Sequence, residues 1–239
     1  MVNKVIVVLG SGPGIGVATA SLFASKGFDV ALLARHKVRL QQDTAQVQQA
    51  GLGVHVKAYS VDISDHVALS KTLDEVVTEL GPPEVVFFNA ARVRPAKLED
   101  ATPDYLLEDF KTMSLGLYVA ATWSMQHLIA KAGRPDAHPS FLYTIGGLYN
   151  HPLADYFSLA MQKAAQFSFM GSLNQVLAPQ GVHVGGVDVQ GLVDDKQPVL
   201  NARNIAQSFW KLYGQDEKTW EFNIEMGNWD EFIRQMTGE

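Results

Sequence analysis

The stretch VIVVLGSGPGIG, residues 5–16, decides how the chain folds. It begins with four β-branched residues and a leucine, which is typical of a buried strand. Gly10, Gly12, Gly14 and Gly16 follow, and glycines of this kind permit a tight turn and a close approach of the backbone to a pyrophosphate. The free N–H groups of a helix that begins there would bind the phosphates. The stretch therefore predicts a strand, a phosphate-binding loop and the first helix of a dinucleotide-binding domain.

Further short apolar runs alternate with longer helical patterns along the rest of the chain. Their nearly continuous apolar character suits a parallel sheet that is covered on both faces. Repeated strand–helix units predict right-handed crossovers. We therefore expect an α/β fold, with residues 1–239 forming a single Rossmann-type domain with a doubly wound parallel sheet flanked by helices. The predicted strands are 5–10, 29–34, 54–61, 84–90, 140–146 and 183–189, the predicted helices are 14–26, 36–50, 65–80, 103–132, 155–178 and 202–213, and an edge strand is expected at 219–226.

The composition narrows the class of protein. Of 239 residues, 47% are hydrophobic, which is enough for a sizeable core in one domain. The net charge is −6 and the 19 Lys and Arg residues are scattered, which argues against a nucleic-acid surface. There are no cysteines, and the seven histidines include no pair at helical ligand spacing, so no metal site is expected. The apolar runs are too short to span a membrane. We expect a cytoplasmic protein that acts on a small molecule.

The residue after the second predicted strand indicates which dinucleotide binds. NAD-binding sites usually place Asp or Glu at this point, where it accepts hydrogen bonds from the ribose 2′-OH. Here Arg35 follows Leu33 and Ala34, and no carboxylate is present. A guanidinium can hold a 2′-phosphate through charge-assisted hydrogen bonds. The sequence therefore favours NADP(H) over NAD(H), unless Arg35 is only a solvated loop charge.

Several further segments resemble the short-chain dehydrogenase/reductase family, and the resemblance extends from residue 4 to about 195. Asp62 stands where the family places an aspartate near the adenine, and Asn89-Ala90-Ala91 resembles the family's Asn-Ala-Gly segment. Lys163-Ala164-Ala165 resembles the end of the family's Tyr-x-x-x-Lys-Ala-Ala segment. The stretch LAPQGVHVGGVDVQGLV resembles the region that leads to the family's Pro-Gly turn, of which only Gly191 is present here. The resemblance and the glycine loop together predict cofactor contacts from Gly10, Ser11, Gly12, Gly14, Ile15, Gly16, Arg35, Asp62, Ile63, Asn89, Ala90, Ala91, Lys163, Gly191, Leu192 and Val193.

The resemblance fails at the positions that carry the family's chemistry. In the family, a tyrosine exchanges the substrate proton, a lysine lowers the pKa of that tyrosine and binds the nicotinamide ribose, and a serine and an asparagine assist. Alignment on Lys163 puts Leu159 at the tyrosine, Gly146 and Gly147 at the serine, and Met113 at the asparagine. The resemblance therefore implies an atypical member that lacks the catalytic serine and tyrosine and keeps the lysine.

The first hypothesis for the activity is an NADP(H)-dependent oxidoreductase that reduces a C=O or C=N group with a relocated proton donor. Tyr156 is the foremost candidate, because it precedes Lys163 by seven residues and would share a helical face with it. Asp155, Tyr149 and His151 are weaker candidates on the same segment. An iminium substrate is already positively charged and would need no strong acid.

Two other hypotheses stay open. A pocket that contains Leu159, Met113 and two glycines would be apolar and roomy, which suits a non-redox cyclase or isomerase that works by positioning. Arg92 and Arg94 would then bind an anionic or carbonyl group, unless they are surface charges. A non-catalytic nucleotide-binding protein would show the same pattern.

Two surface features complete the prediction. The loop 192–201 is short, which predicts an open site. Helices 103–132 and 155–178 carry apolar residues on more than one face, and by analogy with related proteins we expect a homodimer or homotetramer.

Overall fold

A seven-stranded sheet forms the centre of the protein in this computed structural model, which describes residues 3–237. All neighbouring strands are parallel, and their order is β3-β2-β1-β4-β5-β6-β7. The strands are β1 (Val5–Leu9), β2 (Asp29–Ala34), β3 (Val56–Ser60), β4 (Val85–Phe88), β5 (Ser140–Gly146), β6 (His183–Gln190) and β7 (Asn223–Gly227). The helices are α1 (Ile15–Ser25), α2 (Lys37–Ala50), α3 (His66–Leu80), α4 (Pro103–Phe110), α5 (Gly116–Ile129), α6 (Phe157–Leu177), α7 (Ala202–Tyr213) and α8 (Trp229–Thr237).

Helices cover both faces of the sheet, because residues on each strand alternate between two apolar layers. In β1, Val5, Val7 and Leu9 pack with buried residues of α3, α5 and α6. Ile6 and Val8 face the other side and pack with buried residues of α1, α2 and α7. The predicted doubly wound parallel sheet is thereby confirmed.

The long helix predicted at 103–132 is interrupted. A π-helical turn, Lys111–Leu115, separates α4 from α5. The Nε2 of Gln166, on α6, donates to the Met113 carbonyl oxygen of this turn at 2.9 Å. Gly116 follows directly, and a Cβ there would lie 2.4 Å from Cγ2 of Ile63, so the close packing of α5 against the loop after β3 requires glycine. The π turn therefore lies where α5 passes close to the carboxyl ends of the strands.

The C-terminal segment contains one element that the sequence patterns did not predict. The expected edge strand is present as β7, shifted to Asn223–Gly227, and it pairs in parallel with β6. Helix α8 follows it directly, and the side-chain oxygen of Asn228 accepts a hydrogen bond from the Glu231 backbone N–H at 3.0 Å. The Asn228 side chain thus caps the helix start. Between residues 3 and 237, no helix has the length and apolar character needed to cross a membrane.

Candidate active site

A cavity of about 740 Å³ lies at the carboxyl ends of the central strands. It spans the point between β1 and β4 where the strand order reverses, which is where open α/β sheets bind ligands. The glycine loop after β1 forms one end of the cavity. Lys163 lies in the middle, and Trp229 and Phe232 of α8 form the far wall. The fold therefore places the glycine loop, Lys163 and α8 around one continuous cavity.

Fifteen of the sixteen residues predicted to contact a cofactor line this cavity. The exception is Gly16, which lies behind the wall: a Cβ at this position would be 2.8 Å from the Gly10 carbonyl oxygen and 3.1 Å from the Asn89 amide nitrogen. Gly16 therefore permits α1 to pack closely on the loop. The lining residues from the predicted set are Gly10, Ser11, Gly12, Gly14, Ile15, Arg35, Asp62, Ile63, Asn89, Ala90, Ala91, Lys163, Gly191, Leu192 and Val193.

Asn89 holds the glycine loop in place from the end of β4. Its side-chain nitrogen donates to the Gly10 carbonyl oxygen at 3.0 Å, and its side-chain oxygen accepts from the Thr144 hydroxyl at 2.8 Å. Gly10 has φ of +92°, and a Cβ there would lie 2.6 Å from the backbone nitrogen of Ala90. A larger residue at position 10 would therefore be strained and would clash with the backbone just after β4. The loop, β4 and β5 are thus fixed relative to one another.

The end of the cavity beside β2 contains a cation and an anion. Arg35 and Asp62 form an ion pair with 3.7 Å between their side-chain nitrogen and oxygen, and both side chains are partly exposed. Burial acts to raise the pKa of Asp62, but hydrogen bonds from Ser64 and the charge of Arg35 outweigh it and lower that pKa. Asp62 is therefore an anion that orients Arg35 at the mouth of the cavity. The pair is loose enough for Arg35 to make a further contact.

Lys163 is almost completely buried on α6. The residue is 8% exposed, and its Nζ donates to the Thr144 carbonyl oxygen at 3.0 Å. Burial lowers the pKa of Lys163 to about 8, and the negative charge of Asp188 partly opposes that effect. Leu159 lies one helical turn before it and is also buried on the cavity wall. The middle of the site therefore combines an apolar surface with an amine that can gain or lose a proton near neutral pH.

The four residues proposed as relocated acids occupy different places. Tyr156 lines the main cavity. It lies at the end of a 3₁₀ turn with φ −127° and ψ 26°, directly before α6 begins at Phe157, so the prediction that the helix already includes residues 155 and 156 is wrong. Tyr149 and His151 line a separate, smaller cavity, and Asp155 is exposed and lines neither. Tyr156 is the member of this group that shares the main cavity with Lys163.

The expectation of a roomier pocket is wrong at two positions. Met113 is completely buried and does not line the cavity. A Cβ on Gly147 would lie 2.4 Å from Cε3 of Trp229, so the indole ring of α8 already fills the space beside that glycine. Gly146, Gly147 and Leu159 do line the cavity as expected. Trp229, from a distant part of the chain, therefore occupies the space beside Gly147.

Arg92 and Arg94 are neither free ligands nor simple surface charges. Arg92 Nε lies 2.9 Å, and an Arg94 guanidinium nitrogen 3.1 Å, from an oxygen of Asp109. Asp109 is 1% exposed and also accepts a hydrogen bond from the Ser158 hydroxyl at 2.6 Å. Both arginines lie outside the cavity lining. Their role is to neutralise a buried carboxylate that ties α4 to the start of α6.

The cavity also contains residues that no motif indicated, among them Thr144, Leu148, Leu153, Trp229 and Phe232. Thr144 holds both Asn89 and Lys163, but it lies inside a strand and gave no separate signal. The remaining wall is apolar and consists of Val93, Leu148, Leu153, Leu159, Leu192, Val193, Trp229 and Phe232. Among the residues that the structure describes, no group of three or more His, Cys, Asp or Glu could hold a metal ion.

Comparison with known proteins finds similar sequences and similar folds. The 3-dehydrosphinganine reductase TSC10B of Arabidopsis thaliana is 29% identical over 185 residues, which cover 75% of this chain and 52% of that protein. The chain spans about half the length of several curated relatives it matches. An NADPH-bound short chain oxidoreductase of Pseudomonas aeruginosa PAO1, described as containing an atypical catalytic center, has a TM-score of 0.81 and 21% identity, with coverage of 93% and 94% of the two chains.

A further solved structure is the NAD⁺-bound xylitol dehydrogenase, with a TM-score of 0.83, 20% identity and coverage of 95% and 99%. At these identities the solved structures show that the fold is shared. The family model for short chain dehydrogenases matches residues 4–194, which include every strand from β1 to β6 and the glycine loop. The chain therefore belongs to the short-chain dehydrogenase family.

Proposed function

We propose that the protein is an NADP(H)-dependent oxidoreductase that reduces a C=O or C=N group of an uncharged, largely apolar substrate. The observation that carries this proposal is the continuity of the cavity, which joins the glycine loop and Arg35 to Lys163, Tyr156 and the apolar wall. A dinucleotide at one end would extend towards Lys163. The substrate would then lie against α8.

The residues present fit a nicotinamide dinucleotide. The glycine loop at the N-terminus of α1 would hold the pyrophosphate, Asp62 and Ile63 would lie beside the adenosine, and Lys163 would bind the nicotinamide ribose. When bound, the cofactor supplies the hydride. Of the two solved structures named above, one carries NADPH and the other NAD⁺. The proposed preference for NADP(H) over NAD(H) therefore rests on Arg35.

Arg35 favours NADP(H) because its guanidinium lies on the cavity wall and is 45% exposed. The loose pair with Asp62 leaves donors free for a 2′-phosphate. Calorimetric titration with NADPH and NADH tests the preference. Equal affinity, or tighter binding of NADH, would contradict it.

The proton for the reduced atom must come from an unusual donor in this proposal. Leu159 stands where the family's tyrosine would be, and it has no proton to give. Gly146 and Gly147 provide no side-chain donor either. Among the described residues at the substrate end, Tyr156 and Lys163 are the titratable side chains on the cavity wall. We propose Tyr156 as the acid and Lys163 as the residue that positions the ribose.

The apolar wall indicates the class of substrate. Eight aliphatic or aromatic residues surround the substrate end, and no Asp, Glu or Arg is among the described residues there. Lys163 is engaged by the nicotinamide ribose in this proposal, so a charged substrate would lose its hydration without gaining an ionic partner. Oxidation of NADPH in the presence of a panel of hydrophobic ketones, aldehydes and cyclic imines tests the proposal. The Lys163→Met variant is the control for turnover that depends on the site.

A non-redox reaction is the second candidate, favoured by the leucine at position 159 together with the filled space beside Gly147. Such a site would act on a hydrophobic substrate by shape alone. Product analysis by mass spectrometry distinguishes the two. Conversion of a substrate without consumption of NADPH would support the second candidate, and binding of NADPH without any conversion would support a non-catalytic nucleotide-binding role.

A further inference from the structure

Lys163 is the only primary amine among the described residues that line the main cavity. It lies on α6, and Leu159, one helical turn before it, is aliphatic where the family's tyrosine would be. Leu153 and Tyr156 line the cavity just before the same helix. An apolar ligand in the cavity can therefore meet an amine beside an aliphatic wall.

Lys163 is buried without a carboxylate in direct contact. Among the described residues, its Nζ donates to the Thr144 carbonyl oxygen at 3.0 Å and forms no ion pair. The negative charge that acts on it belongs to Asp188 on β6, which pairs in register with Ile145, the residue after Thr144. Tyr156 is the other titratable side chain at this end of the cavity. One neutral carbonyl group does not offset the burial of a full charge, so the site favours the uncharged amine.

The uncharged amine of a lysine is a nucleophile. Burial lowers the pKa of Lys163 to about 8, so a substantial fraction of its amine carries no charge at about pH 7.5. A lysine with the ordinary pKa of 10.5 has about two-hundredfold less free amine at that pH. Lysines that are desolvated in apolar pockets form imines with carbonyl compounds for this reason.

We propose that, when no dinucleotide is bound, Lys163 captures uncharged apolar aldehydes as an imine. Nζ adds to the carbonyl carbon, the carbon–oxygen bond then breaks, and both protons of the neutral amine leave with the oxygen as water. The step needs no oxidant or reductant. The cavity wall, which includes Leu159 and Trp229, surrounds the hydrocarbon part of the aldehyde. The proposal does not rest on the oxidoreductase function, because it uses only the amine and the apolar wall.

Benzaldehyde with sodium cyanoborohydride is a suitable probe, because the reductant converts the imine to a stable benzylamine. The full-length protein is treated at about pH 7.5, and peptide mass spectrometry locates the benzyl groups. Lys37, exposed on α2, is the internal reference. Lys163 should be modified about tenfold faster or more, because its larger fraction of free amine outweighs the lower nucleophilicity of a less basic amine. Charged 4-carboxybenzaldehyde should show no such preference, since its carboxylate would lose its hydration in the apolar cavity.

Variants test the two sides of the argument. Lys163→Met should remove the modification from this peptide and leave that of Lys37 unchanged. Asp188→Asn removes the charge that opposes deprotonation of Lys163, so the rate at about pH 7.5 should rise about two- to fourfold. Glu217→Gln removes an exposed carboxylate outside the cavity lining and should leave the rate unchanged. The pH profile of the wild type needs no variant, and its midpoint for Lys163 should lie near the pKa of about 8.

Protection by NADP⁺ separates this proposal from the proposed function. NADP⁺ carries no hydride to transfer, and at saturation its ribose should block Lys163 and leave Lys37 reactive. Modification of Lys163 that persists in saturating NADP⁺ would support the imine site and contradict the placement of the ribose beside Lys163.

Three results would overturn the proposal. Modification of Lys163 no faster than that of Lys37 would show that its amine is not activated or not reached from the cavity. A midpoint near the ordinary pKa of 10.5 would show that the amine stays charged in the fold. Equal preference for Lys163 with 4-carboxybenzaldehyde would show that the apolar wall does not select the aldehyde.

Discussion

The buried Lys163 should make the stability of the protein depend on pH in a specific window. Its pKa in the folded protein is about 8, compared with an ordinary value of 10.5. Between these values the unfolded chain binds the proton and the folded chain does not, so the free energy of unfolding rises with pH. Below the window, both states are protonated and the folded state bears the cost of burying the charge. The sign is therefore opposite to that of a lysine stabilised by an ion pair.

The size of the effect follows from the two pKa values. The step from 10.5 to about 8 corresponds to about 3 kcal/mol, at about 1.4 kcal/mol for each pH unit. Lys163→Met has no titrating amine and a side chain of similar length. The difference in unfolding free energy between the wild type and this variant should therefore increase by about 3 kcal/mol from about pH 7 to about pH 10.5 in favour of the wild type.

Urea unfolding monitored by circular dichroism, at several pH values across this window, measures the effect. Other groups with shifted pKa values, such as Tyr59, Tyr143 and Lys131, are present in both proteins and cancel in the difference. Lys37→Met, at an exposed position on α2, is the matched control and should show a flat difference. Parallel pH profiles for the wild type and Lys163→Met would refute the reasoning, because they would mean that Lys163 keeps its ordinary pKa in the fold.

Four further predictions concern the cofactor, the proton, the packing and the assembly. Arg35→Asp should reverse the preference for NADPH and cost about 1.5–3 kcal/mol of NADPH binding, measured by calorimetry; an unchanged preference would contradict it. Tyr156→Phe should keep NADPH affinity but lower turnover by about 10²-fold or more. Turnover at the wild-type level in Tyr156→Phe would show that another group supplies the proton. The Leu159→Tyr variant should gain only weak ketone reduction. Gly147→Ala should lower the unfolding free energy by about 1–3 kcal/mol, because its Cβ would displace Trp229; a neutral effect in urea unfolding would contradict that packing. Light scattering should show a homodimer or homotetramer, and a particle of 26.2 kDa would reject the prediction.

Local patterns were sufficient to predict most of the fold. The bounds of β2, β5 and α7 agree with the predicted ranges, because each is a strongly patterned segment with a clear end. The glycine loop was equally clear, since the need for positive φ at Gly10 and Gly14 is a local backbone property. Residues that line a dinucleotide site follow from the positions where strands end. These features depend on neighbours in sequence, which is why they could be predicted.

The π turn, α8 and the partners of Arg92 and Arg94 could not be predicted in the same way. The π turn at 111–115 follows the apolar pattern of a continuous helix, so the sequence gives no signal for it. A backbone carbonyl in the turn accepts a hydrogen bond from the Gln166 side chain on another helix. Helix α8 has only nine residues. The role of its apolar residues Trp229 and Phe232 is apparent only from the fold, which places them on the wall of the main cavity. The arginines pair with Asp109, fifteen to seventeen residues away, and the pattern of charges gives no signal for that pairing. Each of these features is fixed by long-range contacts.

The pairing of Gly147 with Trp229 bears most directly on the proposed function. A site that had only lost its catalytic side chains would be expected to contain a void, because each removed side chain leaves unfilled space. Here the indole ring lies so close that position 147 has no room for a Cβ, and Phe232 extends the same wall one helical turn further. This close fit requires a residue without a side chain at position 147 and a large aromatic ring at position 229. The filled space beside Gly147 therefore supports the proposed recognition of a hydrophobic substrate over a site that had only lost its side chains.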